Sequence, residues 1–144
     1  MQVFIIGTPL ETAKAMYADT RRYNKQIVEC KQILDALNGK TAWRNHPCTL
    51  QYRGHERWLI NYMYCLIAYR NGDILTALNS NHHCSELVPN FHTQEYFTQM
   101  KRRLYTKSKE LYKQWSNLGE SDCNWYWSAN ENKFIKYING KRIE

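Results

Sequence analysis

Apolar residues recur at helical spacing through most of this chain, and they divide it into a succession of amphipathic segments. Thr8-Pro9-Leu10-Glu11 predicts the first helix start. Thr8 can accept from the free N–H groups of the first turn, Pro9 suits the first helical position, and Glu11 completes a capping box. This helix is expected to end near Tyr17-Ala18, and the short segment ahead of it pins the N-terminal amine close to the helical body. A second helix is predicted over 20–37, where Tyr23, Ile27, Cys30, Leu34 and Leu37 form one stripe facing the core. Arg22, Lys25, Gln26 and Glu29 gather on a separate polar stripe. Asn38-Gly39-Lys40 supplies the stop. After a loop from Thr41 to Pro47, a third helix is predicted from Gly54 to Arg70, with Trp58, Leu59, Tyr62, Met63, Leu66 and Ile67 inward.

The remaining pattern is less regular. A short helix is expected over Asp73–Leu78, followed by an irregular stretch from Asn79 to Pro89. Thr93 to Trp115 reads as two helical pieces, the second capped by Ser108 and carrying Leu111 and Trp115. Asn124–Trp127 and Phe134–Ile138 are extended in pattern, and Asn139-Gly140 is a tight-turn signal, so a small terminal hairpin is expected. The fold class is therefore mainly α: a compact helical bundle, one domain over 1–144, with a loop-rich C-terminal end.

Composition sharpens this picture. With 144 residues, 43% of them hydrophobic, and 11 Tyr, 5 Trp and 4 Phe, the chain suits one packed core and excludes a disordered class. No apolar run approaches a membrane span, and Met1-Gln2-Val3-Phe4-Ile5-Ile6 lacks a basic leader, so a cytoplasmic protein without membrane attachment is the expectation, and a monomer. Five widely spaced cysteines without a C-x-x-C predict reduced, mostly buried thiols. His82-His83-Cys84 is the nearest approach to a metal motif, but adjacent side chains seldom converge on one ion, so neither metal nor cofactor is expected.

The net charge of +7 admits two readings, a basic soluble surface or a polyanion partner. Its distribution favours nucleic acid: residues 99–115 hold six Lys and Arg against one Glu, and Lys136, Lys141 and Arg142 close the chain. On the second helix Glu29 follows Lys25 by one turn and Arg22 by two. Such a stripe can be a solvated face with i,i+4 pairs. It can also be a carboxylate held among cations that grip phosphate, the arrangement base excision needs to stabilise charge on a deoxyribose and move protons. In Trp43-Arg44-Asn45-His46-Pro47, Arg44 is a planar phosphate ligand and His46 a donor or proton shuttle. Trp43 reads as a core plug rather than a stacking platform. In the tail, aromatics among Lys and Arg suit a mini-core or a surface for a flipped base, with at least two of the rings expected to be buried.

Arg22-Tyr23-Asn24-Lys25-Gln26-Ile27-Val28-Glu29-Cys30-Lys31-Gln32-Ile33-Leu34, then Trp43-Arg44-Asn45-His46-Pro47 and Arg53-Gly54-His55-Glu56, together resemble the pyrimidine-dimer DNA glycosylase family of the phage endonuclease V type, especially its shorter bacterial relatives. The resemblance spans roughly the first half of the chain, with weaker echoes in Arg102-Arg103-Leu104 through Tyr112 and in the tail. It implies a compact helical fold, a glycosylase with AP-lyase activity, and a Schiff base formed by the N-terminal α-amine with support from a helix-borne glutamate. That glutamate falls on Glu29, and the family's basic or histidine position on Arg22. An α-amine, which titrates near ~8 against ~10.4 for lysine, suits a cofactor-free nucleophile. Gln2 departs from the family's small second residue, which leaves Met1 in place, and Val28 and Gln32 stand where the family has arginines.

The expected catalytic groups are thus Met1 and Glu29, with Arg22, Lys25, Arg44, His46, Arg102, Arg103, Tyr137 and Lys141 as DNA ligands. The expected partner is double-stranded DNA with a damaged or modified base. A non-catalytic nucleic-acid-binding module and an enzyme of free nucleotides remain the alternatives.

Overall fold

Residues 1–6 belong to no helix or strand and run through the interior, where the elements around them supply hydrogen bonds to their backbone. The computed structural model describes residues 1–40 and 42–143; Thr41, the first residue of the expected loop, and Glu144 lie outside the described residues. Its helices are α1 (Pro9–Met16), α2 (Thr20–Leu37), α3 (Pro47–Gln51), α4 (Glu56–Arg70), α5 (Ile74–Ser85) and α6 (Gln94–Lys107). Short 3-10 turns occupy Ala42–Asn45 and Lys113–Leu118, and strands β1 (Asn124–Ser128), β2 (Lys133–Ile138) and β3 (Lys141–Ile143) close the chain. The mainly α expectation is met.

Val3, Phe4 and Ile5 are buried in the main core. Buried backbone polar groups need partners, and several here are met by side chains. The Phe4 N–H donates to Gln26 Oε1 of α2 at 2.9 Å. The Phe4 carbonyl accepts from the Tyr62 hydroxyl of α4 at 2.6 Å, and the Val3 carbonyl from Tyr96 of α6 at 3.4 Å. The Ile6 N–H reaches Thr12 Oγ1 of α1 at 3.1 Å, and the Met1 carbonyl accepts from the Tyr126 hydroxyl of β1. One short segment thereby fixes four helices' worth of register against the sheet.

The Thr8–Glu11 capping box forms as expected, with the Glu11 N–H donating to Thr8 Oγ1 at 3.1 Å and the Thr8 N–H to Glu11 Oε1 at 3.0 Å. α2 has the expected bounds, and Gly39 at φ +76° follows its end. Its buried face is rotated from the expected stripe, however. Tyr23 and Cys30 are buried, but so are Gln26, Glu29, Ile33 and Ala36, whereas Ile27, Leu34 and Leu37 are half-buried. Polar Gln26 and Glu29 turn inward because the segment at residues 2–4 offers them backbone partners.

Other departures follow tertiary contacts. α3 lies between the expected Thr41–Pro47 loop and the helix expected from Gly54, with Pro47 in its first turn and His46 Nδ1 accepting from the Cys48 N–H at 3.1 Å. α5 continues to Ser85, past the expected stop at Leu78. Within the extra turns Asn81 accepts from the Leu10 N–H at 2.9 Å and the Cys84 thiol donates to the Trp58 carbonyl. The second helical piece beyond Ser108 is a turn and a 3-10 segment in which Leu111 is exposed. Trp43, expected in the core, is 48% exposed.

The core is aromatic, with Trp58 stacked between Tyr52 and Tyr62 at ring separations of 5.7 and 5.1 Å. The C-terminal region forms an antiparallel sheet of order β1-β2-β3, one strand beyond the expected hairpin. Asn139 and Gly140 both take positive φ, as a tight hairpin turn requires. Trp125 and Tyr126 are buried, so β1 docks on the helical body. All five cysteines are free, four of them buried. No described helix is long and apolar enough to cross a membrane.

Candidate active site in a basic cleft

Where the N-terminal segment emerges beside α2, a cleft of about 320 Å³ opens. Met1, Gln2, Glu29, Arg22, Lys25, Arg103 and Lys107 are among the residues lining it. α2 contributes a row of side chains at successive turns, α6 adds Arg103 and Lys107 one turn apart, and the N-terminal segment delivers the amine. Three segments distant in sequence thus converge on one space.

Glu29 sits at the inner wall and is 8% exposed. Its Oε2 accepts from Gln26 Nε2 at 3.0 Å, and its Oε1 lies 4.0 Å from Lys25 Nζ. Burial raises its pKa above the ordinary carboxylate value, opposed by the Met1 α-amine, Lys25, the Gln2 backbone N–H and Lys107. Desolvation wins over the surrounding cations. The result is a carboxylate poised to hold or release a proton, the property general acid–base chemistry uses.

The other carboxylate of the cleft is committed elsewhere. Asp19 Oδ2 accepts from Arg22 Nη1 at 2.5 Å and from the buried Tyr112 hydroxyl at 2.8 Å. Arg22 was expected to flank Glu29; it pairs with Asp19 instead, because the two lie one turn apart at the start of α2. Lys107 shows how crowded with positive charge the cleft is: partial burial lowers its pKa, and Arg103, Arg22 and Lys25 lower it further. Cations that repel one another in this way favour an anion bridging them.

Gln2 explains how the segment end is held. Its buried side chain donates from Nε2 to the Trp125 carbonyl at 3.2 Å and accepts from the Trp125 N–H at 3.3 Å. Arg103 is aimed by Asn124 Oδ1, at 3.1 Å from its Nε, and by the Ser121 carbonyl.

Five of the expected residues, Met1, Glu29, Arg22, Lys25 and Arg103, therefore meet in the cleft. His46 stands near it. Burial lowers its pKa and the Met1 α-amine lowers it further, while its ring centroid lies 5.7 Å from that of Tyr126. Arg44 is exposed on the preceding 3-10 turn. Arg102 turns away from the cleft, donating to Gln99 Oε1 at 3.0 Å and to the Glu120 carbonyl at 2.6 Å. Tyr137 packs edge-on to Tyr126 and lines a separate hollow of about 400 Å³, and Lys141 is exposed on β3. Val28 and Gln32 are exposed and do not line the cleft.

Sequence reasoning missed Lys107, Asp19 and the inward role of Gln26. Lys107 carried a usable signal, its i,i+4 spacing from Arg103; Gln26 carried only its i,i+3 spacing from Glu29, since its other two partners are backbone atoms. Among the described residues no group of three or more His, Cys, Asp or Glu is placed to hold a metal ion.

The family model described as pyrimidine dimer DNA glycosylase matches residues 1–69. Over that stretch the resemblance read from the sequence is shown, and it takes in Met1, Arg22, Lys25, Glu29, Arg44 and His46 but not Arg103 or Lys107. Comparison with curated proteins and with solved structures gives no match.

Proposed function

We propose that this protein is a DNA glycosylase with AP-lyase activity on damaged or modified pyrimidines, using the Met1 α-amine as nucleophile and Glu29 as its carboxylate partner. The family matched by residues 1–69 is one of DNA glycosylases acting on pyrimidine dimers; the mechanism is our reading. The observation carrying it is that the amine and a buried glutamate share one cleft walled by Arg22, Lys25, Arg103 and Lys107.

In this reading the amine nitrogen bonds to deoxyribose C1′ as the glycosidic bond breaks and its electron pair leaves with the base. The C1′–O4′ bond then breaks, O4′ keeping the electron pair and taking one proton lost by the nitrogen, which leaves a protonated imine. Glu29 then takes a proton from C2′, the C3′–O bond breaks, and the 3′-phosphate leaves with the electron pair. Water finally hydrolyses the imine and returns the amine. The cations of the cleft hold the flanking phosphates, and the Glu29 carboxylate stabilises positive charge developing on the sugar. No cofactor enters these steps.

Borohydride reduction in the presence of a duplex with an abasic site should give a covalent complex. Acetylating the α-amine, or substituting Glu29→Gln, should abolish it, and mass analysis of the proteolysed complex should place the adduct on the Met1 peptide. If salt-sensitive duplex binding occurs without any adduct and is indifferent to Glu29→Gln, the protein is a binding module instead. Mononucleotide binding that needs no duplex would point to a free-nucleotide enzyme.

A further inference from the structure

We propose that Gln26 is the positioning residue of the cleft, its one amide fixing the N-terminal segment against α2 while holding Glu29 Oε2. This rests on the reading of Met1 and Glu29 as the reacting pair, which it deepens by naming what sets their geometry. Gln26 is 1% exposed, and its amide uses both donors and one acceptor lone pair. Its Oε1 accepts from the Phe4 N–H at 2.9 Å. Its Nε2 donates to the Gln2 carbonyl at 2.8 Å and to Glu29 Oε2 at 3.0 Å. An amide nitrogen has two protons, so both are used.

The orientation of this amide is also determined. Reversing it would set Oε1 against the Gln2 carbonyl and the Glu29 carboxylate, both acceptors, and would face Nε2 with the Phe4 donor. No other common side chain of this length supplies one acceptor and two donors from a planar group. Methionine fills the space without either, and glutamate lacks the donors. The residue joins the segment end, two residues from the α-amine, to the carboxylate through one rigid unit.

The bond to Glu29 has a second consequence. A donor to a carboxylate favours its ionised form, so Gln26 opposes the burial that raises the Glu29 pKa. The other groups facing Glu29 are the Met1 α-amine, Lys25 and Lys107, Tyr126 of β1, and the thiols of Cys30 and Cys48. Gln26→Met removes the bond to Glu29 and also releases the segment carrying the Met1 α-amine and the Gln2 N–H; because both of those hold the Glu29 pKa down, every loss acts in the same upward direction.

The test is titration of the Glu29 side-chain carboxyl carbon by NMR, without DNA, in the wild type and in Gln26→Met. The midpoint should rise by about one pH unit in the variant, the amount expected for losing one donor to a charged group. An unchanged midpoint in a folded variant overturns the proposal. Should Gln26→Met fail to fold, the wild type decides. Its Gln26 side-chain amide protons should exchange slowly and shift with the same midpoint as Glu29; rapid exchange with no such shift overturns the proposal. Neither measurement needs turnover, so absence of a borohydride adduct would discard the lyase reading while leaving the role of Gln26 to these titrations.

Discussion

Glu29 and Gln2 show how single polar side chains are used inside this protein. Because burial raises the Glu29 pKa in the folded state, its contribution to stability is fully present below the unfolded-state value. It is lost as pH rises through the higher folded-state value. Glu29→Gln removes that titration. The variant should therefore gain stability relative to the wild type as pH rises from the ordinary carboxylate range through the raised one; urea unfolding at a series of pH values measures this, and a difference constant with pH contradicts it. Gln2→Ala has a different expected outcome. It leaves the buried Trp125 N–H and carbonyl without the side chain that now serves both, at a cost of about 1–3 kcal/mol. Neither role was legible in the sequence. Hydropathy periodicity placed Gln26 and Glu29 on a polar stripe, and the stripe exists; what it faces is a segment that supplies backbone partners, which periodicity does not register. Trp43 was misread on size alone: its ring lies edge-on to His46 and yet stays 48% exposed.

Elements whose ends carry their own chemistry were legible. Thr8 and Glu11 are reciprocal partners within one turn, so the start of α1 needs no tertiary information. Thr8→Ala should lower stability by about 1 kcal/mol, read as a shift in the urea midpoint with an unchanged slope; no shift would mean that the segment at residues 1–6, not the cap, sets the start of α1. The Asn139-Gly140 turn was legible on the same ground, two residues tolerant of positive φ between extended runs. α5 was not. Its later turns carry Asn79, Asn81, His82 and His83, weak helix formers by propensity. They are helical because Asn81 accepts from the Leu10 N–H of α1 and Cys84 is buried against α4. Likewise α3 depends on His46 acting as a cap, a role its sequence position beside Pro47 allows but does not require.

At the scale of the whole molecule, the net charge of +7 is an average over unlike arginines and lysines, and only some of them are free to meet phosphate. Arg102 and Lys107 lie five residues apart in the same basic run. Arg102 is bonded to Gln99 and the Glu120 carbonyl, so it ties α6 to the turn that leads to the sheet. Lys107 lines the cleft, where its neighbours are mainly other cations. Charge counting treats the two alike; the fold separates them. Duplex binding across a salt series distinguishes the roles, because each phosphate contact contributes about 0.9 to the log–log slope. Lys107→Gln should reduce the slope by about that amount and weaken binding similarly for all sequences. Arg102→Gln should leave the slope unchanged and lower the unfolding midpoint instead. If the two variants change the slope equally, DNA is held by the diffuse basic surface and not by the cleft, and the convergence of α2, α6 and the N-terminal segment has no part in phosphate recognition.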